Sequence, residues 1–346
     1  MGKYEAIAEV LRQEINAHKY EYGSRFPSEM DLMDRFGVNP KTINKAVSLL
    51  VAEGLLKRGI RGSGTHVRSY DAFPRFRIAY VGMFYHPYYV RILHGIQRAA
   101  LSENCLVDVV STPAELQGIT LEKIRNSDIK GIITHGCGPI SDARIPVLNL
   151  EEESENIRFP DYVTCNSYQG GYEMMKQLIE RGHREIVILA YISDTRARIE
   201  GFLDAMLEAG ITEPEKRVYT SIQTTKYDMG ELYEAMKADH PGFTAVASTS
   251  DNNIFHFVSL LEKNRIPWRG KLALTGFGNV SGISDLLPIA SVDQHPYHIG
   301  VRAFQAIMRK IADPKLVVQE QINIELVGLE NIPVLNKQKK LGKAMW

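Results

Sequence analysis

Along residues 25–67 the hydrophobic pattern changes period twice. Leu32, Met33 and Phe36 recur at helical spacing behind Ser28, Glu29 and Asp31. A polar cap with acids in the first turn starts a helix, and Gly37 ends it. Asn39, followed by Pro40 at a first helical position, opens a second helix in which Ile43, Ala46, Val47 and Leu50 fall three and four apart on one stripe. Its opposite face carries Lys41, Thr42, Asn44 and Lys45. The period then shortens. Leu55 to Arg58 and Thr65 to Val67 read as two strands, with Gly59, Arg61, Gly62 and Gly64 between them.

From residue 76 short apolar runs alternate with helical patterns. Strands are predicted near 77–81, 106–110, 131–134, 147–150, 162–165, 185–190, 217–220, 244–248, 271–275 and 289–292. Helices are predicted near 88–103, 115–126, 168–181, 197–209, 228–239, 253–264 and 297–312. Such alternation argues for parallel sheets covered on both faces and joined by right-handed crossovers. About 260 residues exceed what one sheet needs, so two lobes with a cleft between them are expected. The fold class is therefore α/β: an N-terminal winged helix-turn-helix over 1–68, a linker over 69–75, and a two-lobed domain over 76–335. Lobe one is expected at about 76–167 and 295–315, lobe two at about 168–294 and 316–335, and a basic tail over 336–346. The linker, SYDAFPR, is the expected mechanical joint.

Two helices followed by a glycine-rich basic hairpin form the layout that reads duplex DNA. Ser28, Asn39, Lys41, Thr42, Asn44 and Lys45 are of the types that reach phosphates and base edges from a helix N-terminal region. Arg61 and Gly62 at the hairpin tip suit a close approach to the minor groove. Charge gives mild support. Residues 1–75 hold 12 Lys+Arg against 9 Asp+Glu, whereas residues 76–346 hold 29 against 32. Binding should then rest on focused contacts and on dimerisation.

This segment resembles the GntR family of bacterial transcription regulators. The resemblance rests on Phe26-Pro27-Ser28-Glu29, on Phe36-Gly37-Val38-Asn39-Pro40-Lys41-Thr42-Ile43-Asn44-Lys45-Ala46, on Leu49, on Glu53-Gly54-Leu55-Leu56 and on Gly62-Ser63-Gly64-Thr65-His66-Val67. It implies DNA binding. Members often carry Arg soon after the Pro-Ser-Glu segment and in the recognition helix; Met30 and Asn44 stand there instead, which implies a different operator sequence.

In open parallel sheets ligands sit at the carboxyl ends of strands. Phe84, Tyr85, Tyr89, Arg198, Asp251, Asn252, Asn279 and Gln294 fall at or near such ends and are the candidate effector contacts. Arg, Asp, Asn and Gln can satisfy sugar hydroxyls, while aromatic rings pack on the C–H face. Alternatives stand beside these roles. Arg198 could pair with Glu200 or Asp194 on a helix surface, Asp251 could cap a helix, and the aromatic cluster could be lobe core.

Residues 76 to about 335 resemble the effector domain of LacI/GalR-type repressors, whose fold is that of periplasmic sugar-binding proteins. The matching residues are Tyr162 to Asn166, Gly170-Gly171, Leu178 to Ile186, Arg198-Ile199-Glu200-Gly201-Phe202, Thr275-Gly276-Phe277 and Ser291-Val292-Asp293-Gln294. The resemblance implies that Arg198 touches the effector. After Thr275-Gly276-Phe277 the family usually places Asp, whereas here Gly278 and Asn279 follow, which implies either an effector unlike the common hexoses or a substitute residue such as Asn279. Together with the GntR-type head, the chain looks like the arabinose repressor group.

The remaining composition narrows the function. The chain has 346 residues, 44% hydrophobic and 24% charged, as soluble globular proteins do. No apolar run approaches the ~18 residues of a membrane span, and Met1 to Asn16 is amphipathic rather than a signal peptide, so the expected location is the cytoplasm with no membrane partner. Cys105, Cys137 and Cys165 show no metal or disulfide spacing, and no cofactor or metal is expected. Nucleophile elbow, phosphate loop and paired carboxylates are missing, which argues against an enzyme. The expected protein is a homodimeric repressor of carbohydrate-use genes, binding a double-stranded operator and a small carbohydrate-like effector. A small-molecule sensor whose head docks a protein partner is the alternative, and salt dependence separates the two.

Overall fold

The computed structural model describes residues 2–17, 19–59, 63–68, 76–82, 86–111, 122–124, 126–135, 145–151, 153–154, 157–191, 196–221 and 229–335. Arg61, Gly62, Phe84, Tyr85, the linker over 69–75 and the tail over 336–346 lie outside them, as does most of the helix expected at 115–126. The chain divides into two compact units, Met1–Phe76 and Arg77–Trp346.

The first unit contains α1 (Lys3–Asn16), α2 (Glu29–Phe36), α3 (Pro40–Ala52), β1 (Leu56–Arg58) and β2 (Thr65–Val67). The amphipathic first segment is thus a helix. It buries Ile7, Ala8, Leu11 and Ile15 against Leu32, Ile43, Ala46, Val47 and Leu50, a small core closed by Phe26, Leu56 and Val67. β1 and β2 pair antiparallel with Leu56 opposite Val67.

The strands of the second unit are β3 (Phe76–Gly82), β4 (Cys105–Val110), β5 (Ile129–His135), β6 (Val147–Asn149), β7 (Glu153–Ser154), β8 (Ile157–Arg158), β9 (Tyr162–Cys165), β10 (Ile186–Tyr191), β11 (Val218–Ser221), β12 (Ala245–Ser248), β13 (Ala273–Phe277), β14 (Ala290–Asp293), β15 (Gln319–Ile322) and β16 (Glu325–Val327). Its helices are α4 (Pro87–Ser102), α5 (Ser167–Glu180), α6 (Arg196–Glu208), α7 (Met229–Asp239), α8 (Asp251–Lys263) and α9 (Pro296–Ala312). They build two six-stranded sheets, ordered β4-β3-β5-β6-β9-β15 and β11-β10-β12-β13-β14-β16. The pairings β3/β5, β5/β6, β6/β9 and β9/β15 are parallel, as are β10/β11, β10/β12, β12/β13 and β13/β14. β16 runs antiparallel to β14. Both faces of the second sheet are buried, one under Met174, Leu178, Phe202 and Met206, the other under Met236, Ile254, Phe257 and Leu261. This is why its strands read as continuous apolar runs.

In each lobe a helix pair crosses at glycine. A Cβ on Gly95 of α4 would overlap the Tyr297 carbonyl oxygen, and one on Gly300 of α9 would overlap that of Ile92. Gly171 of α5 and Gly201 of α6 meet the carbonyls of Arg198 and Tyr168 in the same way.

One boundary is corrected. Residues 316–322, expected in lobe two, join the first sheet, with Gln319 opposite Tyr162 and Ile322 opposite Cys165. Asp161 explains the placement: one carboxylate oxygen accepts the Val318 N–H at 2.8 Å and the other pairs with Lys310 Nζ at 2.8 Å. Lys310 is 5% exposed and also donates to the Leu316 carbonyl, so the segment completes the hydrogen bonding of a buried ion pair when it lies beside β9. The chain therefore passes between the lobes after β9, after β14 and between β15 and β16.

Candidate nucleic-acid interface and effector cleft

In the head, Ser28 and Asn39 are spent on building helices. Ser28 Oγ accepts the Asp31 N–H at 3.2 Å while Asp31 returns a bond to the Ser28 N–H at 2.9 Å, a reciprocal cap. Gly37 takes φ +62°, the left-handed stop that a side chain disfavours. Asn39 Oδ1 accepts from the Thr42 backbone at 2.9 Å and from the Thr42 hydroxyl at 3.0 Å. Burial of Ile43, Ala46, Val47 and Leu50 leaves Lys41 and Lys45 exposed on the other side of α3, with Thr42 and Asn44 half-buried. Lys45 Nζ stands 5.6 Å from the centre of the Tyr4 ring. Asn44 Nδ2 donates to Glu29 Oε1 at 2.9 Å. Sequence reasoning passed over Arg58 of β1, whose guanidinium donates to Ser48 Oγ at 2.9 Å and to Asn44 Oδ1 at 3.3 Å. A cation at a strand end carries no periodic signal pointing to a helix ten residues earlier.

In the second unit the carboxyl ends of both sheets contribute to one cleft. From lobe one come His86, Tyr88 and Tyr89 at the start of α4, His135 at the end of β5, Glu151 beyond β6 and Cys165 at the end of β9. Lobe two supplies Arg198, Thr249, Ser250, Asn252, Phe277 to Asn279, and Asp293 with Gln294. Side chains meet across the lobes. The Asn252 amide and His86 Nε2 are 2.8 Å apart, and Gln294 Nε2 donates to Tyr88 Oη at 3.3 Å and to Cys165 Sγ at 3.1 Å. His86 Nδ1 accepts the Tyr88 N–H at 3.2 Å. That assigns the ring proton to Nε2 and turns the Asn252 carbonyl oxygen toward it.

Arg198 lies at the N-terminal end of α6. Its guanidinium sits 4.0 Å above the Phe277 ring and donates to the Thr249 carbonyl at 2.7 Å. Its buried Nε has no partner among the described residues. A buried donor without an acceptor is costly, and a ligand oxygen would relieve it. Asp251 is placed differently: fully buried, it accepts from Ser291 Oγ at 2.7 Å and from the Val280 N–H at 2.7 Å. It braces the ends of β13 and β14 rather than facing an open cleft, and Ser250, not Asp251, caps α8. Asn279, at φ +44°, donates to Asp293 Oδ2 at 2.8 Å and so stands over the end of β14. The Tyr89 ring lies against His135, with centres 3.7 Å apart and planes tilted by 35°, and His135 pairs with Glu151 at 2.6 Å. His135 and Glu151 were missed, although the strand-end rule applied to β5 and β6 would have found them.

Burial sets the protonation states. It pulls the His86 imidazole below its usual value, helped by the positive field of Arg198, and so favours a neutral ring. It pushes the Tyr88 hydroxyl well up and raises Asp251, although hydrogen bonds from Val280 and Ser291 oppose the latter. The cleft thus sets the Arg198 guanidinium beside a neutral imidazole, a phenol, amides and the carboxylates of Glu151 and Asp293, a set of donors and acceptors suited to a polar molecule rich in hydroxyls. Cys105 and Cys165 are buried free thiols. Among the described residues no cluster of metal-ligating side chains occurs, and no helix is long and apolar enough to cross a membrane.

Comparison with known proteins agrees with both halves. Residues 3–67 match the model described as bacterial regulatory proteins, gntR family, and residues 78–331 match periplasmic binding proteins and sugar binding domain of LacI family. The HTH-type transcriptional repressor PurR of Actinobacillus pleuropneumoniae serotype 3 is 27% identical over 184 residues, covering 51% of this chain and 54% of that protein. The chain thus spans about half the length of that relative. The arabinose metabolism transcriptional repressor of Halalkalibacterium halodurans is 23% identical over 362 residues, covering 92% of this chain and 96% of that one. Among solved structures, the transcriptional regulator CelR-cellobiose complex superposes with a TM-score of 0.62 at 18% identity, covering 84% of this chain and 90% of that one. CcpA of Lactococcus lactis gives 0.62 at 19% identity, with 73% and 97% covered. At such identities the structural likeness speaks for the fold.

Proposed function

Because the chain belongs to the family of periplasmic binding proteins and LacI-type sugar-binding domains, with a gntR-family regulatory domain ahead of it, we propose that it is a DNA-binding transcription repressor controlled by a small carbohydrate-like effector. One observation carries this reading: a capped helix with a polar outward face and a cleft holding a buried, unsatisfied arginine nitrogen occur in a single chain. Lys41, Thr42, Asn44 and Lys45 of α3, with Arg61 and Gly62 of the wing, would engage the operator, while Ser28 and Asn39 set the helix starts. A homodimer would place two such helices one helical turn apart on a pseudo-palindrome.

In the cleft, Arg198 would hold adjacent hydroxyls, with Asn252, Asn279 and Gln294 completing the set and Tyr89, Phe84 and Tyr85 covering a sugar face. Asp251 would act from behind, by fixing the ends of β13 and β14. Closure of the lobes over the effector would alter the grip on DNA, and the genes controlled would serve carbohydrate use in the cytoplasm. Three supports differ in kind: the chemistry of the cleft, an arabinose repressor aligned along most of the chain, and a cellobiose complex with the same fold.

The test is selection of the full-length chain on a pool of random duplexes, followed by salt titration and a thermal-shift panel of sugars. A pseudo-palindrome should emerge whose affinity falls on the order of a hundred-fold or more between about 50 and 200 mM salt. A sugar should raise the melting midpoint with its concentration. Affinity indifferent to salt would favour the protein-docking sensor instead.

A further inference from the structure

The head carries a guanidinium that the reading above leaves unused. Arg58 ends β1, is exposed, and lies against the outward face of α3, where Ser48 Oγ holds Nη2 at 2.9 Å and Asn44 Oδ1 meets the same nitrogen at 3.3 Å. Asn44 is itself oriented, because its amide nitrogen is committed to Glu29 Oε1 at 2.9 Å and its oxygen therefore turns toward Arg58. Four side chains from the start of α2, the middle of α3 and the end of β1 thus form one surface cluster. Among the described residues no acceptor engages the Nε or Nη1 of Arg58. The two lysines of α3 are placed otherwise: Lys41 sits in the first turn, and Lys45 reaches toward Tyr4 of α1.

We propose that Arg58 is a specificity-determining residue that reads a guanine in the operator, with Asn44 and Ser48 as its positioning residues. The inference rests on the DNA-binding reading and deepens it. A planar fork of donors matches the O6 and N7 acceptors that only guanine presents side by side in the major groove. The bonds from Nη2 to Ser48 and Asn44 keep the group on the helix, while its remaining donors stay open to a base. A wing strand would in this way supply the arginine that α3 itself lacks.

The experiment compares wild type, R58A and R58K as full-length chains in selection from a random duplex pool, with a melting curve for each. Wild type should enrich one guanine per half-site at a fixed position. R58A should lose roughly ten-fold or more of the preference at that position alone, with the rest of the motif kept. R58K should retain the salt dependence through its charge yet lose most of the discrimination, and it carries the comparison if R58A melts early. An unchanged motif in R58A, or an even loss of affinity on all sequences as a phosphate contact would give, overturns the proposal. Wild type that shows no salt-dependent DNA binding overturns the DNA-binding reading together with it.

Discussion

Glu14 of α1 ties three parts of the head together through one carboxylate. It accepts from both terminal nitrogens of Arg35 on α2, from Tyr20 Oη at 2.8 Å, and from Lys19 Nζ at 2.5 Å. The Arg35 guanidinium is the largest cause that brings its pKa from 4.5 down to about 2, against the opposing effect of burial. A folded-state value below the unfolded one gives stability that is complete above about pH 4.5 and is lost as pH falls toward 2. Glu14→Gln should therefore lower head stability at neutral pH by about 1–2 kcal/mol, allowing for the partial exposure of Arg35. It should also flatten the acid limb of a denaturation profile between pH 4.5 and 2; an unchanged limb would remove Glu14 from this role. Residues of this kind were invisible in the sequence, because Glu14 and Arg35 have no spacing that links them. The placement of Arg198 was legible for the opposite reason, since a local motif put it in the first turn of a helix that follows a strand.

Elements were most legible where burial is two-sided. The inner strands of both sheets announce themselves as apolar runs, and most helices between them fall near the predicted positions. β15 did not: Gln319-Glu320-Gln321-Ile322 lies at the edge of the first sheet, alternately exposed and half-buried, and its polar residues need no core. Asp161 and Lys310 fix its place, and they act through space across some 150 residues of chain. Helix crossings make a sharper statement. Gly300 leaves no room for a Cβ beside the Ile92 carbonyl, so Gly300→Ala should push α4 and α9 apart and cost about 2 kcal/mol or more, despite the better helix propensity of alanine. A denaturant midpoint unchanged or raised in this variant would show that the crossing yields freely.

For the molecule as a whole, the proposed function makes a thermodynamic demand. If an effector weakens operator binding by some factor, the operator must weaken effector binding by that same factor. The check is the effector dissociation constant measured with and without saturating operator duplex. Equality of the two factors is expected, and a sugar affinity blind to DNA would break the linkage. Within the second unit, the side-chain pairs His86 with Asn252 and Gln294 with Tyr88 already span the lobes. Under the proposed function, an effector entering there would compete for these groups, and its binding energy could then be turned into lobe movement rather than affinity alone.

Periodicity, caps and local motifs by themselves determined the two kinds of fold, the start of the recognition helix and most strand ends of the cleft, because each depends on residues near in sequence. Tertiary structure alone decided which of those candidates face open space. Asp251 and Asn252 are neighbours, yet the first is sealed among Ser291 and Val280 while the second meets His86 across the lobes. It alone also brought Arg58 onto α3 and the 316–322 segment onto the first sheet. The physical reason is the same in each case: hydrogen bonds and buried charges are satisfied by whichever group the fold brings near, and that neighbour leaves no local trace in the chain.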